Sequence, residues 1–187
     1  MKTSRGFTLI EAVTAVTVIG IVMAVGVPSF KSMSRNNLLA TQVNAFVGLV
    51  NYARSEAIKR SARVSICPKG NGATGNVCSA DWNNGAIAFV DINGNGLIDV
   101  GLDLTGDGII DPEPILRVSD NITGGNKFTA WRTGTGTAVT LAGYLPSGNS
   151  AVTDSAVDFT LCDPTAHAAR ILRLTVVGQL QTSKNTC

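Results

Sequence analysis

Two neighbouring stretches space oxygen-bearing side chains in the way a hard cation needs. Asp91, Asn93, Asn95 and Asp99 stand at positions 1, 3, 5 and 9 of a loop whose sixth residue is Gly96. Twelve residues on, Asp103, Thr105, Asp107 and Asp111 repeat that spacing around Gly108. Calcium loops converge oxygen ligands from such positions, with the glycine permitting the sharp turn. The bidentate glutamate of a full EF-hand is missing, because position 12 is Leu102 in the first loop and Pro114 in the second. Asp99, Glu113 or backbone carbonyls are left to complete a site, and calcium is the one cofactor the sequence suggests. The same residues also suit a polar hairpin between a strand ending at Val90 and another beginning near Ile115, since Asn-Gly and Asp-Gly make turns. Turn chemistry alone does not require the acidic spacing twice.

A different chemistry is implied by Glu11, the one charge in the apolar run Phe7 to Val27. At about 1.5 Å per helical residue this run matches the roughly 30 Å of a bilayer's hydrocarbon core. A carboxylate there is costly and marks function. The basic leader, with Lys2 and Arg5, also begins like a secretory signal peptide. The early carboxylate, and the lack of a small-residue cleavage site after the run, fit processing at the polar end instead, after Gly6.

Catalysis finds little to work with. His167 is the single histidine, in a segment that reads as a loop, and no nucleophile-elbow or metalloprotease pattern gathers Ser, Asp and His. Gly134-Thr-Gly136 lacks a following GK[ST] and reads as a turn rather than a phosphate cradle. No enzyme is expected. The four cysteines contain no CxxC pair, so disulfides outside the cytoplasm are a better reading than zinc. Of three possible pairings, Cys67 with Cys78 and Cys162 with Cys187 is favoured: the first closes a Gly/Asn-rich loop and the second ties down the last segment. The other two pairings stay open.

The whole chain carries 15 Lys+Arg against 13 Asp+Glu. Without Lys2 and Arg5 the balance is neutral, which gives no general attraction for nucleic acid.

Arg5-Gly6-Phe7-Thr8-Leu9-Ile10-Glu11 resembles the prepilin peptidase site of type IV pilins and type II secretion pseudopilins. The resemblance implies cleavage between Gly6 and Phe7, N-methylation of Phe7, and a Glu11 that meets the terminal amine of a neighbouring subunit. Opposite charges in an apolar bundle are tolerable when they pair. The leader's cations favour the cytoplasmic side, so the globular part is expected in the periplasm or outside, with the anchor in inner membrane lipid.

These elements need a scaffold. Pro28 should kink the helix without ending it, because a helical pattern resumes. Leu39, Val43, Phe46, Val50, Ala53 and Ala57 form one apolar stripe. Arg54, Glu56, Lys59 and Arg60 are assigned to a solvated face. From Arg63 the period becomes that of half-buried strands: Val64 and Ile66, Ile87 and Phe89, Val139 and Leu141, Val157 to Leu161, Leu172 to Val176. Turn-forming clusters at 70–76, 83–85, 121–126 and 146–150 separate them. The expected fold is α+β and type IV pilin-like: a long kinked N-terminal helix on an antiparallel sheet. Its divisions are a leader at 1–6, a membrane or filament-core helix at 7–30, an amphipathic helix at 31–62 and a β-rich periplasmic domain at 63–187.

The later motifs are similar to those of the GspH/FimT family of minor pilins and pseudopilins. They are Trp82-Asn83-Asn84-Gly85 before Ala86 to Asp91, Ile115-Leu116-Arg117, Phe159-Thr160-Leu161-Cys162-Asp163, and a closing strand ending at Gly178. The resemblance implies a structural subunit of a type IV pilus or of the type II secretion pseudopilus, placed at assembly priming or the filament tip. Other pilins and prepilin peptidase would be its partners. The alternative is a competence-type minor pilin that binds extracellular DNA. Members implicated in DNA uptake carry a Gly-Arg-x-Arg tail, whereas this chain reads Gly178-Gln179-Leu180-Gln181, with Arg170, Arg173 and Lys184 scattered nearby.

Overall fold

The computed structural model describes residues 6–70, 77–101, 103, 106–109 and 112–187. The chain divides into two units, Met1–Asn37 and Leu38–Cys187. Helix α1, Leu9–Arg60, begins in the first and ends in the second. It runs through Pro28, where the ring removes one ladder donor.

The helix stops for a local reason. Ser61 takes a left-handed φ of 49°, the Ser61 amide donates to the Ile58 carbonyl, and the Ala62 amide donates to the Ala57 carbonyl. This is a Schellman cap built on a serine where glycine is usual. Because a side chain in that conformation costs about 1–2 kcal/mol while glycine loses more chain entropy on folding, Ser61→Gly should raise stability by about 0.5–1 kcal/mol. Equilibrium denaturation checks this, and a loss of stability would mean that the serine hydroxyl matters more than its φ.

In the second unit two antiparallel sheets replace the single one expected. One has the order β3-β2-β1-β5, formed by β1 (Val64–Pro68), β2 (Ala86–Val90), β3 (Ile115–Val118) and β5 (Ala142–Tyr144). The other has the order β4-β6-β7-β8, formed by β4 (Lys127–Arg132), β6 (Val157–Asp163), β7 (Ala168–Leu174) and β8 (Leu180–Thr186).

Every residue of the predicted stripe is buried, together with Leu49 and Glu56. Glu56 corrects the assignment to a solvated face. Its carboxylate sits 2.6 Å from Arg60 Nε and 3.6 Å from Lys59 Nζ, and the hydrogen bond from Arg60 lowers its pKa. The side chain stays under two covering cations, three and four positions further along the helix.

Strands β1 and β2 are buried on both faces rather than half-buried. Val64, Ile66, Ala86 and Ala88 join the main core with α1. The opposite faces of Cys67, Ile87 and Phe89 form a second small core, covered by Cys78, Ile98, Ile115 and Leu141. Val139 and Leu141 do not make a strand: Ala138 forms an isolated bridge to Trp131, and β5 starts only at Ala142. Val176 lies in the turn after β7, where the Thr175 amide donates to the Gln179 carbonyl. The chain then continues into β8, so the strand before Gly178 is not the closing one.

Trp82-Asn83-Asn84-Gly85 is a junction between the sheets. Trp82 Nε1 donates to the Val139 carbonyl at 2.6 Å, and Asn83 Oδ1 accepts the Phe128 amide at 2.8 Å. Gly85 has a φ of 85°, and a Cβ there would stand 2.5 Å from the Ser119 carbonyl oxygen, which leaves glycine as the fitting residue.

Candidate functional site

At the start of α1, Thr8 caps the helix. Its Oγ1 accepts the Glu11 amide at 3.4 Å and its carbonyl accepts the Ala12 amide at 3.2 Å. Glu11 thus occupies the first turn, where the helix dipole favours a carboxylate by about 0.3–1 kcal/mol. Lys2 and Arg5 of the leader lie outside the described residues; Gly6 and Phe7 are exposed.

Residues 6–37 are all exposed, yet an 18-residue window of this helix has a mean hydropathy of 2.2. Its hydroxyls turn inward on their own backbone: Thr14 Oγ1 donates to the Glu11 carbonyl at 3.0 Å and Thr17 Oγ1 to the Val13 carbonyl at 2.8 Å. A helix apolar on all sides requires lipid or other helices around it. A carboxylate at the centre of a membrane helix costs roughly 2.5–3.5 kcal/mol, more than the dipole returns.

The acidic segment is ordered around Asp91. Its Oδ2 accepts Ser65 Oγ at 2.5 Å and the Gly96 amide at 3.2 Å, and lies 3.3 Å from Arg63 Nε. Asp91 is 1% exposed, and its Oδ1 is buried without a hydrogen-bond partner. Asn93 Oδ1 accepts the Asn95 amide, Asn95 Oδ1 accepts the Leu97 amide, and both Nδ2 groups donate to Asp99 Oδ2, at 2.7 and 2.8 Å. Glu113 closes the base of the loop by accepting the Ile92 and Asp99 amides at 2.7 and 3.1 Å. Burial, reinforced by the charges of Asp91 and Asp99 against its two amide bonds, leaves its pKa raised.

In the second stretch Asp103 accepts the Gly106 and Gly108 amides, and Asp107 accepts the Ile109 amide. Thr105 and Asp111 lie outside the described residues. Among the described residues no three His, Cys, Asp or Glu side chains converge on a point that would hold an ion by themselves. Amide oxygens would therefore have to contribute. Sequence reasoning missed Arg63 and Ser65 as the supports of Asp91. The signal is the register: Val64 pairs with Val90, which brings the start of β1 alongside the residue after β2.

The structure joins Cys67 to Cys78 and Cys162 to Cys187. His167 is exposed in the turn between β6 and β7, apart from the acidic loop. Near the tail, Arg173 makes a two-bond pair with Asp158, at 2.7 and 2.8 Å, which holds that carboxyl below its usual range. Arg170 donates to the Ala169 carbonyl and faces Lys184 across the β7–β8 ladder.

Residues 42–179 match the family model described as type II transport protein GspH, and residues 1–27 match the prokaryotic N-terminal methylation motif. A solved structure of the type IV minor pilin FimU of Pseudomonas aeruginosa is similar in fold, at 18% identity and a TM-score of 0.55. The match covers 81% of this chain and 92% of that one. A second crystal form of FimU aligns at 23% identity and a TM-score of 0.45, over 76% of this chain and 91% of that one. No curated protein sequence matches. The fold is that of a type IV pilin, and the chain belongs to the GspH family of minor pilins and pseudopilins.

Proposed function

We propose that this chain is held in the inner membrane by α1, with its C-terminal domain in the periplasm, until prepilin peptidase cuts between Gly6 and Phe7. Phe7 then becomes the N-methylated first residue. Its amine and the Glu11 carboxylate let the helix leave lipid for a bundle of similar helices, where close packing replaces lipid contact. The product is a subunit of a type IV pilus or a type II secretion pseudopilus that acts in assembly priming or at the filament tip. The observation that carries this reading is Glu11, the sole ionisable side chain between Phe7 and Phe30 on a helix that is apolar and exposed on every side.

DNA capture has less support, because Arg173 is already committed to Asp158 and neither arginine of the uptake-type tail is present.

Mass spectrometry of membrane and filament fractions tests the proposal. The expected N-terminal peptide starts at Phe7 and carries one added methyl group. A chain that retains its first six residues, or one cut beyond Val27, overturns it.

A further inference from the structure

Of the two acidic stretches, the first has a feature that turns alone leave unexplained. All three partners of the Asp91 carboxylate crowd onto Oδ2: the Ser65 hydroxyl, the Gly96 amide and the Arg63 guanidinium. Oδ1 is buried and has none. An unpaired buried carboxylate oxygen costs free energy unless something unseen meets it. The Gly96 amide reaches Oδ2 from the far limb of the turn, so the Asp91 carboxylate borders the loop.

The rest of the loop supplies what a calcium ion wants beside that oxygen. Asn93 and Asn95 each use one lone pair of Oδ1 on a backbone amide, and an amide oxygen has two. Both hold Asp99 through their Nδ2 groups. Asp91 is opposed by the guanidinium of Arg63, whereas Asp99 meets uncharged amide groups, so a negative charge is left for a cation to offset. Oxygen ligands of mixed type, in a loop with glycine at position 6, favour calcium over the strictly octahedral magnesium.

We propose that Asp91, Asn93, Asn95 and Asp99 form a calcium site, and that the ion staples this loop over the second core. The loop covers that core directly. Ile98 packs against Cys67, Ile87 and Phe89, and the Gly96 backbone lies so close to Leu141 that a Cβ would meet its side chain. Cys78 Sγ lies 3.8 Å from the Gly96 carbonyl, which links the loop to the disulfide with Cys67. Bound calcium therefore acts on the outer face of β1 and β2 as a covering, reversible in a way the disulfide is not. The site stands on loop geometry and is independent of how α1 is processed.

The test is thermal unfolding of the full chain in detergent, stripped with chelator and then titrated with calcium chloride, with magnesium chloride in parallel. At the affinity of extracellular modules, about 10⁻⁴–10⁻³ M, calcium at tenfold above Kd should raise Tm by about 3–6 °C. Magnesium should give less than half of that shift. Asp91→Asn is open to the objection that it disturbs the fold, because Asp91 also holds Arg63 and Ser65. Asn95 is exposed and Asp99 half-buried, and neither belongs to an apolar core, so Asn95→Ala and Asp99→Ala should lower the calcium-free Tm by no more than about 4 °C and weaken calcium at least tenfold. Asp107→Asn, in the second stretch, should leave the shift intact. An unchanged Tm at about 10 mM calcium, a full shift in Asp99→Ala, or a shift lost only in Asp107→Asn overturns the proposal.

Discussion

Phe46→Ala should cost the globular unit about 3–5 kcal/mol, the range for truncating a buried aromatic. Phe46 is 4% exposed and projects from α1 into a cluster of three other rings. Its centroid lies 4.8 Å from Phe128 of β4, 4.9 Å from Phe159 of β6 and 6.0 Å from Trp82 at the junction. Those three rings also contact one another, so removing the central one leaves a cavity whose walls are mutually braced and collapse poorly. Edge-to-face pairs add about 0.5–1.5 kcal/mol each beyond the area they bury. Against a typical total of 5–15 kcal/mol, the loss is about a fifth or more. Denaturant unfolding of the full chain in detergent, followed by tryptophan fluorescence, measures it, with Phe46→Leu as the milder comparison. A cost below about 1 kcal/mol would show that the helix is anchored to the sheets elsewhere.

That anchor was readable from sequence, because the helical stripe is a property of spacing within one segment. Leu39, Val43, Phe46, Val50, Ala53 and Ala57 needed no knowledge of the sheets to be placed together. Strands were readable where both signals coincided, as in Val157 to Leu161, whose burial alternates strictly. They failed where burial came from elsewhere. β8, LQTSKNT, is almost wholly exposed and polar, and what holds it is a ladder to β7 plus the bond from Cys162 to Cys187. Neither leaves a local apolar period. In β4 the buried positions are only Phe128 and Ala130, and so short an alternation is hard to separate from the turn cluster before it. The stretch from Val139 to Leu141 failed in the opposite direction. It alternates, but the Val139 carbonyl serves Trp82 and Leu141 fills the second core, so the pattern reflects two unrelated contacts.

The acidic loop shows the same division. Its spacing identified Asp91, Asn93, Asn95 and Asp99 as one group, and hydrogen bonds join three of them, Asn93 and Asn95 to Asp99. What spacing cannot convey is that the first carboxylate shares its pocket with Arg63 and Ser65, which are distant in sequence and arrive through strand register. Glu113 was visible only as a candidate to complete the set. Its buried position at the loop's base, between the Ile92 and Asp99 amides, depends on where β3 begins. The second stretch repeats the spacing, yet both Asp103 oxygens accept loop amides. Equal spacing has led to unequal environments.

Glu11→Ala should leave cleavage after Gly6 largely intact and reduce incorporation into filaments tenfold or more. Two roles for this carboxylate compete, and their sizes separate them. As a first-turn residue behind the Thr8 cap, Glu11 contributes about 0.3–1 kcal/mol to the helix, so losing it in that role alone would change assembly by a few-fold at most. As the partner of the Phe7 amine of an adjoining subunit, it removes a charge that otherwise costs roughly 2.5–3.5 kcal/mol in an apolar bundle. Leaving that amine unpaired then corresponds to a loss of roughly 60- to 300-fold, at 1.4 kcal/mol per factor of ten. Glu11→Gln sharpens the distinction, since it keeps the side chain's length and hydrogen-bonding capacity but not its charge. If pairing dominates, the glutamine variant loses incorporation as fully as alanine; if only the helix dipole is at stake, both variants fall by a few-fold at most. Quantitative immunoblots of sheared filaments against membrane fractions give the readout. Wild-type levels of Glu11→Ala in filaments would remove charge pairing from the account of assembly.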